Sequence, residues 1–267
     1  MANLGLITLV LIEWVVGVTY LSPLALVGRV WLYRRPKLGI SLWLGLFSLS
    51  FLASLGAVLL ALWSVFENWL VLRQGVTSSV GWVHLLMSSL APWAALALGG
   101  ILASVANHRI GSLFDSERHS PPTLLGGQRV GELDGFQVIE LPISFAYVGS
   151  SWRDRSIVQS KGARDSLTPT ELESCLRHEV AHLRFRHVQI LTTATVLNRL
   201  FGTLTASKAM LTELNLLVEL AADRAVENKS ALRSSLLKLD PLPSRELAIR
   251  LHILDFAKTT PSREQQG

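Results

Sequence analysis

Cysteine is nearly absent from this 267-residue chain, and a single thiol, Cys175, cannot form an internal bridge. That argues against a secreted, disulfide-stapled scaffold. Charge is also scarce: Asp, Glu, Lys and Arg make up 17% of the residues against 49% hydrophobic ones. A mean hydropathy of +0.38 does not describe an ordinary soluble chain. Plentiful apolar residues disfavour intrinsic disorder, and the lack of any internal period disfavours a fibrous or solenoid array. The shortage of charge is uneven, since residues 1–106 hold five Lys/Arg and two Asp/Glu whereas residues 107–267 hold twenty and eighteen. The first region is written for lipid and the second for water.

Three long runs supply the apolar content. From Leu4 to Val27 the only charge is Glu13, and Leu38–Phe66 and Val76–Ala106 carry none. Each exceeds the roughly 20 residues that a helix needs to cross a hydrocarbon core about 30 Å thick. Three transmembrane helices are expected, at 4–27, 38–66 and 76–106. The first lacks a basic n-region and leads straight into further apolar runs, so it is expected to be retained rather than cleaved. Arg29, Arg34, Arg35 and Lys37 crowd the first loop, while the second, Glu67–Gly75, offers only Arg73 against Glu67. By the positive-inside rule the first loop is cytoplasmic, the N-terminus lies outside, and everything after Asn107 is cytosolic. A lone Cys175 there fits a reducing compartment. Trp31, Trp43, Trp63, Trp69 and Trp82 fall near span ends, where amphipathic rings prefer to sit. Glu13 is costly inside lipid and reads either as a functional carboxyl or as one kept neutral in the outer half of its span. Ser22-Pro23 reads as a kink.

Beyond the third run, residues 107–135 mix charges with Pro121-Pro122 and Gly126-Gly127 and read as a connector. Phe136–Leu141 and Ser156–Ser160 have strand patterns, with Phe145–Val148 as a possible third. A sharper signal follows. Thr168-Pro169-Thr170-Glu171 places a capping hydroxyl, a proline at the first helical position and a carboxylate at the third, so a helix begins near Pro169. It is expected to continue past His187.

Within that helix stands His178-Glu179-Val180-Ala181-His182, an HExxH pattern. Four residues of helix bring the two imidazoles to within roughly 40° on one face, so both reach a single ion. Zinc suits imidazole, and Glu179 is placed to take a proton from water at the ion. With seven His and thirteen Glu in the chain, a random HExxH is expected with a frequency of about 1%. The pattern also lies in a helix with its own start signal. Farther on, Glu219 and Asp223 are spaced i,i+4, so both carboxylates leave one helical face. One carboxylate can be a third zinc ligand, and another can hold a ligand histidine through its other ring nitrogen. His187 is nine residues after His178, about 900° round a continuing helix. That points it away from the metal, towards a surface or capping role. Cys175 is assigned to core packing.

On these residues the chain resembles membrane-embedded zinc metallopeptidases of the gluzincin type: the HtpX and CAAX prenyl protease family, and the related BlaR/MecR-type family. The resemblance covers about residues 136–235 and extends to Leu167-Thr168-Pro169-Thr170-Glu171-Leu172. It implies that His178, His182 and Glu219 bind one zinc ion, that Glu179 is the general base, and that Asp223 supports a histidine. His187 falls where an ancillary residue is found. Two departures stand out. Only 36 residues separate His182 from Glu219, too few for the two full spans that HtpX-like proteins place there. A helical stripe of Ile190, Ala194, Leu197, Phe201 and Leu204 instead suggests one amphipathic hairpin over Val188–Leu217, packed in a core or touching the membrane surface. The 44 residues after Asp223 leave no room for an extracellular sensor domain.

A net charge of +5 could suggest nucleic acid, yet no such motif is present. Arg177, Arg184 and Arg186 more economically face anionic lipid. His252 and Tyr147 are weak candidates for stabilising a transition state, because no spacing places them at the metal. The fold class expected is a mainly α membrane protein: three N-terminal transmembrane helices, then a small α+β zincin-like (gluzincin) cytosolic domain. The divisions are 1–106, a connector at 107–135, the peptidase domain at 136–239, and a last helix (Arg245–Ala257) with a polar tail at 240–267. The expected activity is zinc metalloendopeptidase, with a protein or peptide substrate, the lipid bilayer as partner, no nucleic acid, and the plasma membrane as location. A zinc-containing sensor or scaffold without catalysis, and a signalling protease that cleaves a cytosolic repressor, are the alternatives.

Overall fold

The computed structural model describes residues 2–73, 127–201, 204–240 and 244–259. The third expected span and residues 107–126 of the expected connector lie outside them. The chain is mostly helical and divides into two compact units: Met1–Val27, Ser41–His119 and Ala194–Leu211 form one, and Gly28–Ile40, Ser120–Thr193 and Thr212–Gly267 the other.

In the first unit, α1 (Ala2–Leu26) carries Pro23 into its last turn. A short α2 (Val30–Tyr33), which belongs to the second unit, leads to the 38-residue α3 (Pro36–Arg73), which belongs to the first unit from Ser41 on. Among the described residues one helical segment, Pro36–Ser64, is long and apolar enough to cross a membrane. Ser50 and Ser54 hydroxyls donate to the carbonyls of Leu46 and Ser50, at 2.8 and 2.9 Å, which removes lone polar groups from an apolar face. Helix α3 continues to Arg73, so the expected loop at Glu67–Gly75 is helical over most of its length. Trp63, Phe66 and Trp69 are exposed along its later turns, Phe66 tilted against Trp63 and stacked on Trp69. Trp43 departs from the expectation of an interfacial ring. It is fully buried against Phe47, and Phe47 in turn meets Phe201 edge-on at 6.0 Å.

Phe201 belongs to the tip of the expected hairpin. Its arms are α6 (His187–Leu200) and α7 (Thr205–Ala225). The hydroxyl of Ser207 donates to the carbonyls of Phe201 and Leu204, at 2.9 and 2.8 Å, and so satisfies backbone groups that the turn releases. Of the expected stripe, Ala194, Leu197 and Phe201 are buried. The tip, Ala194–Leu211, therefore groups with the apolar helices rather than with the domain that bears its ends.

The second unit is built on a four-stranded sheet in the order β1-β2-β4-β3. The strands are β1 (Gln128–Leu133), β2 (Phe136–Leu141), β3 (Val148–Ser151) and β4 (Ser156–Ser160). Strands β2 and β4 match expectation residue for residue. The third strand begins at Val148, where Phe145–Val148 was expected. β1 was read as connector, because its residues are exposed on both faces and show no alternation. β1 and β2 are antiparallel through a turn at Asp134 and Gly135, both at positive φ, and β2 and β4 are parallel.

A short α4 (Lys161–Ser166) leads to α5 (Pro169–Arg184), whose start is a complete capping box. The Thr168 hydroxyl accepts from the Glu171 amide, and the Glu171 carboxylate accepts from the Thr168 amide. One face of α5 packs Val180 and Leu183 on Phe136, Val138 and Ile157 of the sheet. Burial of such side chains contributes about 1.5–3 kcal/mol each. The other side of the unit is closed by α8 (Lys229–Leu239) and α9 (Arg245–Thr259), with Val226, Leu232 and Leu254 as their core.

Candidate metal centre

Two helices present the expected residues to one point. His178 and His182 leave α5 one turn apart, and Glu219 and Asp223 leave α7 with the same spacing. The Nε2 atoms of the histidines are 3.0 Å apart. Glu219 places Oε2 at 3.3 Å from His178 Nε2 and Oε1 at 3.5 Å from His182 Nε2. A tetrahedral ion with ligands at about 2.0–2.2 Å requires donor atoms about 3.3–3.5 Å apart. The donor set suits zinc in chemistry, and both carboxylate–imidazole distances match that spacing, while the two imidazole nitrogens stand about 0.3 Å inside it. His178, Glu179 and His182 also offer ligand atoms within 4.8 Å of one another, and the carboxylate of Glu179 lies near Ser150 of β3.

The remaining nitrogens are held from behind. Nδ1 of His178 lies 3.0 Å from Oδ1 of the buried Asp223. Nδ1 of His182 lies 3.0 Å from Nδ1 of His187. If both Nε2 lone pairs face one ion, both Nδ1 atoms carry protons; His187 accepts the one on His182, and the Asp223 carboxylate stands at ion-pair distance from the one on His178. The placement of His187 corrects the sequence reading. Helix α5 does not continue past it but ends at Arg184. Phe185 caps it, Arg186 adopts a positive φ of 55°, and α6 starts afresh at His187. The break turns His187 back upon His182, with 2% of its surface exposed. No glycine marks this turn; a left-handed Arg costs about 1–2 kcal/mol, which the packing of both flanking helices must offset.

Arg250 of α9 is a site residue that sequence reasoning missed. Its guanidinium donates through Nε and Nη2 to Asp223, at 2.8 and 2.6 Å, and its Nη1 stands 3.1 Å from Glu219 Oε2. Two carboxylates one turn apart on a buried face demand a counter-charge, which was a usable signal. Nothing in the spacing says which cation supplies it. The end of α7 is fastened by Lys229, whose ammonium donates to the carbonyls of Asp223 and Arg224 at 2.8 Å each, and to that of Val226.

Charge at the site follows from these contacts. Burial works against an imidazolium at His178, but the carboxylates of Asp223 and Glu219, which accept from it, outweigh burial and raise its pKa to about 9. Burial and the neighbouring His178 take His182 down to about 4. Burial, then His182, lowers His187 to about 4 as well. Burial would raise Glu219 and Asp223, yet hydrogen bonds with His178, joined at Asp223 by Arg250, hold both near 2. Glu179 moves the other way: burial raises its carboxyl above the ordinary value, only partly opposed by His178 and Ser150. The other weak candidates are split. His252 is exposed on α9 with its ring against Phe256, whereas Tyr147 is close enough to Glu179 for that charge to add to the effect of burial in raising its hydroxyl pKa. Cys175 is buried, as expected.

Two imidazoles from an HExxH helix and a carboxylate from a later helix make the donor set of an HExxH metallopeptidase. Comparison with known families agrees: residues 132–238 match the model of Peptidase family M48 and form a domain of that family, in keeping with the resemblance to HtpX and CAAX prenyl proteases. Its members are metallopeptidases, typically zinc-dependent. No curated protein and no solved structure matches the chain.

Proposed function

We propose that the chain is a membrane-bound zinc metalloendopeptidase whose catalytic domain faces the cytosol. The observation that carries this reading is the triangle of His178, His182 and Glu219 donor atoms, 3.0–3.5 Å on a side, with Glu179 beside it. His178, His182 and Glu219 would hold the ion; when bound, zinc would polarise the scissile carbonyl and acidify water. Glu179, with its carboxyl raised towards neutrality, accepts the proton of the attacking water and returns it to the leaving amine. Asp223 and His187 orient the two imidazoles through Nδ1. Arg250 keeps Asp223 and Glu219 ionised and in place.

The substrate class is an extended peptide. β3 is an edge strand, and its Ser150 contacts Glu179, so a peptide added along β3 would pass the catalytic base. Three spans, with the N-terminus outside, complete the proposal.

The decisive comparison is wild type beside Glu179→Gln, purified with zinc and offered a panel of denatured membrane proteins. The variant should keep stoichiometric zinc and lose hydrolysis by about 10²–10⁴-fold. Equal activity in the two proteins removes Glu179 as base. An inactive wild type, with Glu179→Gln restoring a deletion strain fully, leaves a structural-zinc scaffold instead.

A further inference from the structure

A second concave site lies in the unit that carries the metal centre. It is a cavity of about 440 Å³ whose polar wall is made by Arg35, Lys37 and Arg224, and among the described residues no carboxylate lines it. Two of the cations are fixed by contacts of their own. The Lys37 ammonium sits 4.1 Å above the centre of the Phe185 ring, and the Arg224 guanidinium donates to the Arg34 carbonyl. The rest of the wall is apolar, formed chiefly by Pro36, Leu38 and Phe185. The volume falls in the range that encloses small ligands, about 300–1,000 Å³.

The place of the cavity in the chain indicates its occupant. Pro36 is the first residue of the apolar run of α3, so a span starting there puts Arg35 and Lys37 at head-group level. Three cations facing an apolar wall at that level complement a group with negative charge on one end and hydrocarbon on the other. Arg177, paired with Glu173 at 2.9 Å, and Arg184, paired with Asp134 at 3.3 Å, lie outside the cavity. We infer that this cavity binds the phosphate head group of an anionic phospholipid. Ala221 and Ala225, on its wall, follow Glu219 and Asp223 by two residues each, and so each lies about 200° round α7 from the site carboxylate before it. The lipid would brace α7 from behind.

This inference rests on the reading of α3 as a membrane span, and the test separates the two. Full-length protein is placed in nanodiscs of phosphatidylcholine with one-fifth phosphatidylglycerol, extracted gently, and scored for retained lipid by native mass spectrometry. Wild type should retain phosphatidylglycerol at least about tenfold above its share of the bilayer. Arg35→Gln/Lys37→Gln should lose that preference, and Ala225→Leu, which fills the cavity without removing charge, should lose it as well. Arg177→Gln/Arg184→Gln should keep it, as a control for general attraction. No preference in wild type, or equal preference in Arg35→Gln/Lys37→Gln or Ala225→Leu, overturns the site. Displacement of the lipid by millimolar inorganic phosphate shows a free-anion site and also overturns it. Alkaline carbonate extraction of the same membranes checks the span: release of the protein defeats the membrane reading itself, whereas loss of lipid preference in a protein that stays embedded defeats only the site.

Discussion

His187 shows how one backbone angle rearranges a site. A continuing helix would carry its ring to the far side of α5; the positive φ of Arg186 instead delivers it to Nδ1 of His182, at 3.0 Å. The consequence for zinc is graded. Glu219→Ala removes a donor atom and should abolish tight binding. His187→Leu keeps the volume but withdraws the acceptor that orients His182, and should weaken zinc by about 10–100-fold. His187→Gln should recover part of that loss, because its amide oxygen can accept the same proton. Competition with a zinc-sensitive chelator measures all three. Unchanged affinity in His187→Leu would show that packing alone orients His182. Arg250 has a different part at the same scale: it touches both carboxylates and neither imidazole, so it fixes charge where His187 fixes a ring.

Among the elements, α5 depends on a carboxylate at its first turn. Glu171 accepts from the Thr168 amide, from Ser234 at 2.5 Å and from Lys238 at 2.7 Å, and so ties the HExxH helix to α8. Lys238 first, then Ser234 and Thr168, lower its pKa to about 2 from 4.5. A folded-state value below the unfolded one means that the contribution is fully present above about pH 4.5 and is lost as pH falls through 2. Glu171→Gln should cost about 1–2 kcal/mol at neutral pH, and its unfolding curves should depend less on pH between 4.5 and 2 than those of wild type. Gly162 of α4 is a second dependence, because a Cβ there would overlap the Ser144 carbonyl oxygen. Gly→Ala inside a helix ordinarily gains about 1 kcal/mol. Here Gly162→Ala should instead lose about 1–3 kcal/mol through overpacking, and denaturant midpoints would show the sign. These elements also explain what was legible beforehand. The capping box, the HExxH face, β2 and β4 were readable because each is a local pattern of side chains. β1 was hidden by exposure on both faces, and the end of α5 by a left-handed Arg where glycine would have been the signal. Arg250 was hidden by distance, since only the fold brings α9 to residues 27 positions earlier.

For the whole molecule the governing question is which way the chain enters the bilayer. Thirty-eight residues of α3 make a helix about 57 Å long, well beyond a hydrocarbon core of about 30 Å, so both ends of α3 must leave the lipid. The end at Pro36 is flanked by Arg29, Arg34, Arg35 and Lys37, whereas the later turns expose Trp63, Phe66 and Trp69, with Arg73 the sole cation beyond them. Aromatic rings favour either interface, but Lys and Arg favour the cytoplasmic one. On the proposed membrane reading, the Pro36 end would face the cytosol and the Arg73 end the outside. Single cysteines introduced at positions 35 and 73, in a Cys175→Ala background, test the assignment in intact cells with a membrane-impermeant maleimide. Position 73 should label from outside, and position 35 only after the membrane is opened. The reverse pattern would invert the protein and place the metal centre outside the cell, and labelling of both positions in intact cells would end the case for α3 as a span.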